Sequence, residues 1–231
     1  GSSPRCFVGG PQSGILIAKA LEQRQLPVGA VNASLINIAA YHAAYVICLA
    51  SALTIAHAWR DAHLAILAVS LIFIGFGTTM TVGILALAGT GALPAWVTRF
   101  RLLGTMARFV SPADRRTVRD PALLGESIAW QSGIFLLDAA TVWVLVRSLG
   151  TTAPAAVVFA SFMISSVFRT VGVMPGGLGT YEASSVITLS MMGVSVPVAL
   201  SATLLFRGFS LWLPMLPGLA MASGLATLAG S

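Results

Sequence analysis

Long stretches with almost no charge divide this chain, and each is long enough to cross a bilayer as a helix, which takes about 20 apolar residues. They cover residues 31–56, 64–89, 127–149 and 154–172, and a fifth runs from 197 to about 228. Only helices and closed barrels satisfy their backbone groups in lipid, and barrel strands need only about 10 residues. The pattern therefore predicts an all-α polytopic membrane protein. We expect about six transmembrane helices plus short re-entrant helices, with an interfacial or re-entrant helix at 14–25.

The composition supports the membrane class. Hydrophobic residues make up 57% of the chain and charged residues 9%, against roughly 25% charged in a soluble domain. Spanning segments use nearly all of its length, so we expect a single membrane domain over 1–231. Because the chain starts with Gly-Ser-Ser rather than Met, we expect a fragment that lacks upstream spans. Two cysteines without a CxxC pair predict neither a disulfide framework nor a metal site.

The most polar segment is the loop at 98–120. It carries six of the arginines behind a net charge of +6, and it contains two aspartates. Basic loops stay on the cytoplasmic side and face anionic lipid, which excludes nucleic acid as the favoured partner. We therefore expect a multi-pass protein of the bacterial inner membrane with the loop at 98–120 in the cytoplasm.

Four charged residues fall inside or beside the apolar stretches of the second half: Asp138, Arg169, Glu182 and Arg207. Each costs about 2.5–3.5 kcal/mol at the centre of a spanning helix. Two positive and two negative charges allow mutual compensation inside a helix bundle. They predict either a functional site or buried ion pairs that only fix the register of the helices.

The sequence VMPGGLGTYE at 173–182 must break the helix that enters it, because proline lacks an N–H and glycine permits positive φ. At membrane depth such a break is tolerated only where protein or water surrounds it. Thr180 is placed to cap the next helix, and Glu182 falls in its first turn. Bare glycine amides at a helix start also suit an anion. The alternative is a glycine-rich turn outside the membrane.

A weak internal repeat links Gly9-Gly10 and the sequence that follows to Gly176-Gly177 and its own downstream sequence. It predicts two related, inverted halves, as in transporters with broken helices at the binding site.

The element PGGLGTYE, followed about 25 residues later by LLFR and then LWLP at 204–214, resembles the transmembrane domain of lysylphosphatidylglycerol synthases and related flippase-like membrane proteins. The resemblance implies a lipid flippase that moves an anionic or aminoacylated phospholipid, or a lipid-linked molecule, between leaflets. Its motif contributes six substrate-binding candidates: Pro175, Gly176, Gly177, Gly179, Glu182 and Arg207. The intramembrane charges Asp138 and Arg169 complete the set.

No cofactor, metal or catalytic residue is predicted. The transferase domain of the full synthases is absent from the sequence, which predicts that the chain is not an enzyme. His57, Asp61 and His63 have loose metal-ligand spacing, but a solvated loop explains them better. The remaining alternatives are an accessory or structural membrane subunit without transport and, less favoured, an intramembrane lipid-phosphate enzyme. Besides membrane phospholipid, the partners left open are a second copy of the chain and a separate lipid-modifying enzyme.

Overall fold

The computed structural model describes residues 28–59, 64–90, 113–171, 178–213 and 215. These residues are almost entirely helical, and no strand occurs among them, which confirms the all-α class. The helices are α1 (Val28–Trp59), α2 (Leu64–Leu87), α3 (Arg115–Val118), α4 (Pro121–Ser148), α5 (Ala155–Val171), α6 (Thr180–Met191) and α7 (Val196–Arg207), followed by a π-helical turn at Gly208–Trp212.

Three of these helices are long and apolar enough to cross a membrane: α1, α2 and α4. Two shorter apolar segments follow, Ala155–Arg169 within α5 and Val196–Trp212 in α7 and the π-helical turn. They account for part of the larger number of spans expected from hydropathy. The interfacial helix expected at 14–25, the glycine element at 9–14 and most of the loop at 98–120 lie outside the described residues. The proposed repeat therefore stays a prediction.

Helix α4 begins at Pro121, six residues before the apolar stretch that predicted it. The Asp120 carboxylate accepts a hydrogen bond from the Ala122 amide at 2.9 Å, and proline occupies the first helical position, where its missing N–H is harmless. Local capping, rather than hydropathy, therefore sets the start of this helix.

Helix α1 is the centre of the bundle and packs against α2, α4 and α5. Five of its buried residues are alanines that are at most 1% exposed, which lets neighbouring backbones approach closely. Gly77 of α2 lies at the tightest point, where an added Cβ would come within 2.7 Å of Val46 Cγ2. Small residues thus hold the first two spanning helices together.

Helix α6 packs antiparallel to both α5 and α7. The end of α5, the start of α6 and the end of α7 therefore lie at the same end of this three-helix group. Ser161 of α5 pairs with Thr188 of α6, and Ser185 of α6 pairs with Thr203 of α7, at 2.7 and 2.9 Å. At 1.5 Å per residue, α6 is only about 18 Å long, well short of a bilayer core of about 30 Å. Helix α5 therefore ends, and α6 begins, at the same end of this antiparallel pair, which we call the closed end of the α5–α6 hairpin.

Candidate functional site

The depth of this closed end follows from contacts with the long helices. Ser166, one turn before Arg169, donates a hydrogen bond to the hydroxyl oxygen of Tyr45 at 3.1 Å. Tyr45 lies near the midpoint of α1. Asp138, which interacts electrostatically with Arg169 at the end of α5, lies on α4 about 26 Å from the start of that helix and about 15 Å from its end. The closed end of the hairpin is thus level with the middle of the spanning helices and not with their ends.

The structure places two of the four predicted charges, Arg169 and Arg207, over one aromatic ring, with the other two nearby. We call Asp138, Arg169, Tyr181, Glu182 and Arg207 the charged cluster. The guanidinium carbons of Arg207 and Arg169 lie 5.2 and 5.9 Å from the centre of the Tyr181 ring. Asp138 is close enough to act electrostatically on Arg169 and Tyr181. Residues that are far apart in sequence therefore form a single polar site.

Glu182 uses both carboxylate oxygens. Its Oε1 accepts from Arg207 Nε, and its Oε2 accepts from the backbone N–H of Gly179, both at 2.7 Å. Gly179 has φ +85°, a conformation that favours glycine, and it directly precedes α6. The prediction that Thr180 caps this helix is wrong, because Gly179 is the N-cap and Thr180 is the first helical residue. The Glu182 carboxylate caps the start of α6 and ties it to the end of α7.

The two arginines differ in environment. The side chain of Arg207 is 6% exposed and that of its partner Glu182 is 17% exposed, so this ion pair is largely enclosed by protein. Arg169 is half-buried near the end of α5. Of the two cations, Arg169 is the one more open to an incoming group.

Tyr181 was not singled out from the sequence, although it stands next to Glu182 in the quoted motif. Its side chain is 1% exposed, and its ring also contacts Phe206, with ring centres 6.2 Å apart. The face of an aromatic ring attracts a cation, which stabilises guanidinium groups held away from water. An aromatic residue flanked by intramembrane charges is the signal that points to this role.

A chain of hydroxyl groups extends from the cluster into the bundle. The Thr188 hydroxyl lies 2.7 Å from those of both Ser161 and Ser165, and Ser184 donates to the carbonyl of Ser165 at 3.4 Å. These side chains are at most 8% exposed. Sequence reasoning missed them because serine and threonine are common on membrane helices. Their pairing across helices makes the α5–α6 contact polar beside an otherwise apolar core.

Some of the predicted site lies outside the described residues, namely Pro175, Gly176 and Gly177. The amides of Gly176 and Gly177 therefore remain predicted anion donors, whereas the Gly179 N–H donates to the Glu182 carboxylate. Asp61 and His63 also lie outside, and among the described residues no group of three metal-ligating side chains occurs.

The comparison with protein families covers both the cluster and the spanning helices. The model of the Lysylphosphatidylglycerol synthase TM region matches residues 4–218. The chain belongs to this family. The match confirms the resemblance that the PGGLGTYE and LLFR elements suggest, and it extends over the first half of the chain, where hydropathy alone carried the likeness.

The chain is also similar to a UPF0104 membrane protein from Methanothermobacter thermautotrophicus. The two are 28% identical over 87 residues, which is 38% of this chain and 26% of that protein. The chain thus matches about a quarter of the length of this curated relative. No solved structure matches the chain. Family, fold class and spanning helices agree that this is a multi-pass membrane protein.

Proposed function

We propose that this protein moves an anionic or aminoacylated phospholipid between the leaflets of the bacterial inner membrane without a covalent step. The observation that carries the proposal is the charged cluster at the closed end of a helix hairpin, level with the middle of α1. Ionisable groups at membrane depth are costly, and they commonly mark substrate pathways.

In this proposal the α5–α6 hairpin is a re-entrant element. Helix α6 is too short to span, and its companion α5 ends at mid-depth of the bundle. The turn at Gly179, which precedes α6, leaves helical geometry, and such backbone at membrane depth needs protein or water around it, which a headgroup pathway provides. Broken helices beside a binding site are typical of transporters that expose the site to the two sides in turn.

The contacts suggest a division of labour between the two arginines. Arg207 is already held by Glu182, so we assign this pair to positioning the start of α6. Arg169 is half-buried and close to Asp138, and we assign to it the lipid phosphate. A guanidinium binds phosphate through two parallel hydrogen bonds. The negatively charged Asp138 carboxylate would then bind the positively charged amine of an aminoacylated headgroup.

The test is lipid translocation in vesicles that contain the purified protein. Fluorescent phosphatidylglycerol is followed by quenching in the outer leaflet only. Arg169→Gln should slow translocation about tenfold or more, because a hydrogen bond to a charged group contributes roughly 1.5–3 kcal/mol. Arg147→Gln is the matched control, since Arg147 is exposed and stacks on Trp143 far from the cluster. Released phosphate, measured in the same vesicles, would reveal an enzyme instead.

A second candidate function is that of a structural or accessory subunit, favoured by the full use of both Glu182 oxygens. Under this alternative the charges only lock helices together. Arg169→Gln would then lower the unfolding temperature in detergent. Neither the wild type nor this variant would move lipid faster than protein-free vesicles do.

A further inference from the structure

A second basic site lies away from the charged cluster, at the end of the bundle where α1 begins, α2 ends and α4 begins. Here lies an open cavity of about 680 Å³, which we call the arginine cavity. Among the described residues, those that line it are Gly89, Ala113, Asp114, Arg115, Arg116 and Arg119. It is independent of the proposed translocation function.

The scaffold of the arginine cavity is fixed by close contacts. Gly89 has φ +66°, and an added Cβ would lie 2.8 Å from Arg115 Cβ and 2.9 Å from the Ala113 carbonyl oxygen. The Asp114 amide donates to the side-chain oxygen of Asn32 at 2.9 Å, which ties this segment to α1. Buried apolar residues, among them Val118, pack beneath it. The arginines therefore lie on a segment whose position is fixed by these contacts.

The acidic residue in the cavity is turned toward its own backbone. Asp114 Oδ1 accepts from the Arg116 amide at 3.1 Å, and Oδ2 accepts from the Thr117 hydroxyl at 2.6 Å. The Thr117 hydroxyl, above all, holds the pKa of Asp114 below its usual value. In the described part of the chain, neither Arg115 nor Arg116 forms an ion pair. The carboxylate thus caps α3 and leaves both guanidinium groups unneutralised by a direct pair.

The third arginine is anchored differently. Arg119 Nε donates to the Leu85 carbonyl at 2.6 Å, and a terminal guanidinium nitrogen lies 3.4 Å from the Ala86 carbonyl. These carbonyls belong to the last turn of α2, where a cation is favoured. Arg119 thus fixes the cavity to the end of a spanning helix and adds to its positive charge.

From this placement we propose that the arginine cavity binds a phosphate group of an anionic phospholipid, as a site separate from the translocation pathway. Guanidinium groups recognise phosphate through paired hydrogen bonds, and Arg115 and Arg116 are exposed on the same short helix. The phosphate is lipid-borne because the cavity lies at the ends of three apolar spanning helices, where headgroups are found. Basic pockets at such ends commonly hold anionic headgroups.

The test is stabilisation of the purified chain in neutral detergent by added lipid, read from the thermal unfolding midpoint. Phosphatidylglycerol should raise the midpoint and phosphatidylcholine should not. The double variant Arg115→Gln, Arg116→Gln should need about 25-fold more phosphatidylglycerol for half of the effect, since each arginine near the surface contributes roughly fivefold. Arg147→Gln, which removes one exposed charge elsewhere, should change this concentration less than twofold. Equal stabilisation by both lipids, or an unchanged double variant, would overturn the proposal.

Two further arms make the test specific. Inorganic phosphate or glycerol phosphate that matches the lipid at equal concentration would overturn the assignment to a lipid. Gly89→Ala should weaken phosphatidylglycerol binding at least fivefold, because the new Cβ collides with the arginine segment. Gly150→Ala imposes a similar strain at φ +86° with nothing within 4 Å, and should leave the binding unchanged. Arg169→Gln should also leave it unchanged, which separates this site from the charged cluster.

Discussion

The Glu182–Arg207 pair yields the most quantitative prediction, a strong energetic coupling between α6 and α7. The change is a double-mutant cycle built from Glu182→Ala, Arg207→Ala and the double variant. Removing one partner of a buried ion pair costs about 3–5 kcal/mol. Glu182 is 17% exposed and keeps its bond to Gly179 when Arg207 is removed, so we expect the lower end of that range for Arg207→Ala.

The coupling free energy isolates the pair from the other contacts of each residue. A hydrogen bond to a charged group contributes roughly 1.5–3 kcal/mol, and the 2.7 Å contact between Nε and Oε1 is short. We therefore expect a coupling of about 2 kcal/mol or more. Neutral hydrogen bonds between membrane helices average only about 0.6 kcal/mol.

The chain offers its own neutral reference in the 2.7 Å hydrogen bond from Gln131 to Asn37, between α4 and α1. Both cycles are measured by reversible unfolding in mixed detergent micelles, followed by tryptophan fluorescence. If the Glu182–Arg207 coupling is no larger than that of the Gln131–Asn37 reference, the enclosed ion pair does not hold the start of α6, and the reasoning fails.

Three further changes are read in the same unfolding assay. Gly77→Ala should be less stable than the exposed Gly75→Ala by about 1–3 kcal/mol, because its Cβ meets Val46 at 2.7 Å and a packed contact must shift; equal stabilities would contradict the close approach of α1 and α2. Thr188→Val should lower the free energy of unfolding by about 1–2 kcal/mol, because the serine hydroxyls of α5 lose this partner. The control is Thr141→Val, whose hydroxyl bonds the Leu137 carbonyl of its own helix, and it should change the free energy of unfolding by at most about 0.5 kcal/mol. Asp120→Ala should cost about 1 kcal/mol through the lost cap of α4, and no loss would show that proline alone sets this start.

Hydropathy predicts the long helices well because insertion in lipid depends on the sum of side-chain transfer free energies. Helices α1, α2 and α5 begin and end within a few residues of the apolar stretches that predicted them. The start of α4 is set by Asp120 and Pro121, a local signal that a hydropathy average does not register. Likewise α6 begins at Thr180, inside the quoted motif, because Glu182 caps it from its first turn.

The cluster was only partly predictable. Charge balance indicates that Glu182 and Arg207 compensate each other, since isolated charges at this depth are costly. Which partners meet depends on the antiparallel order of α5, α6 and α7, and no pairwise pattern in the sequence encodes it. The role of Tyr181 and the hydroxyl contacts of Thr188 follow from that order too, which is why they emerge only in three dimensions.

The central claim is that an anionic headgroup reaches the charged cluster at mid-depth. The most direct measurement uses phosphatidylglycerol with a photoreactive group on its headgroup glycerol, in vesicles containing the protein, with labelled peptides mapped by mass spectrometry. We predict labels at the ends of α5 and α7 and the start of α6, which are lost in Arg169→Gln and kept in Arg147→Gln. Labels confined to the arginine cavity and the ends of the spanning helices would contradict the claim, since headgroups would then never enter the bundle.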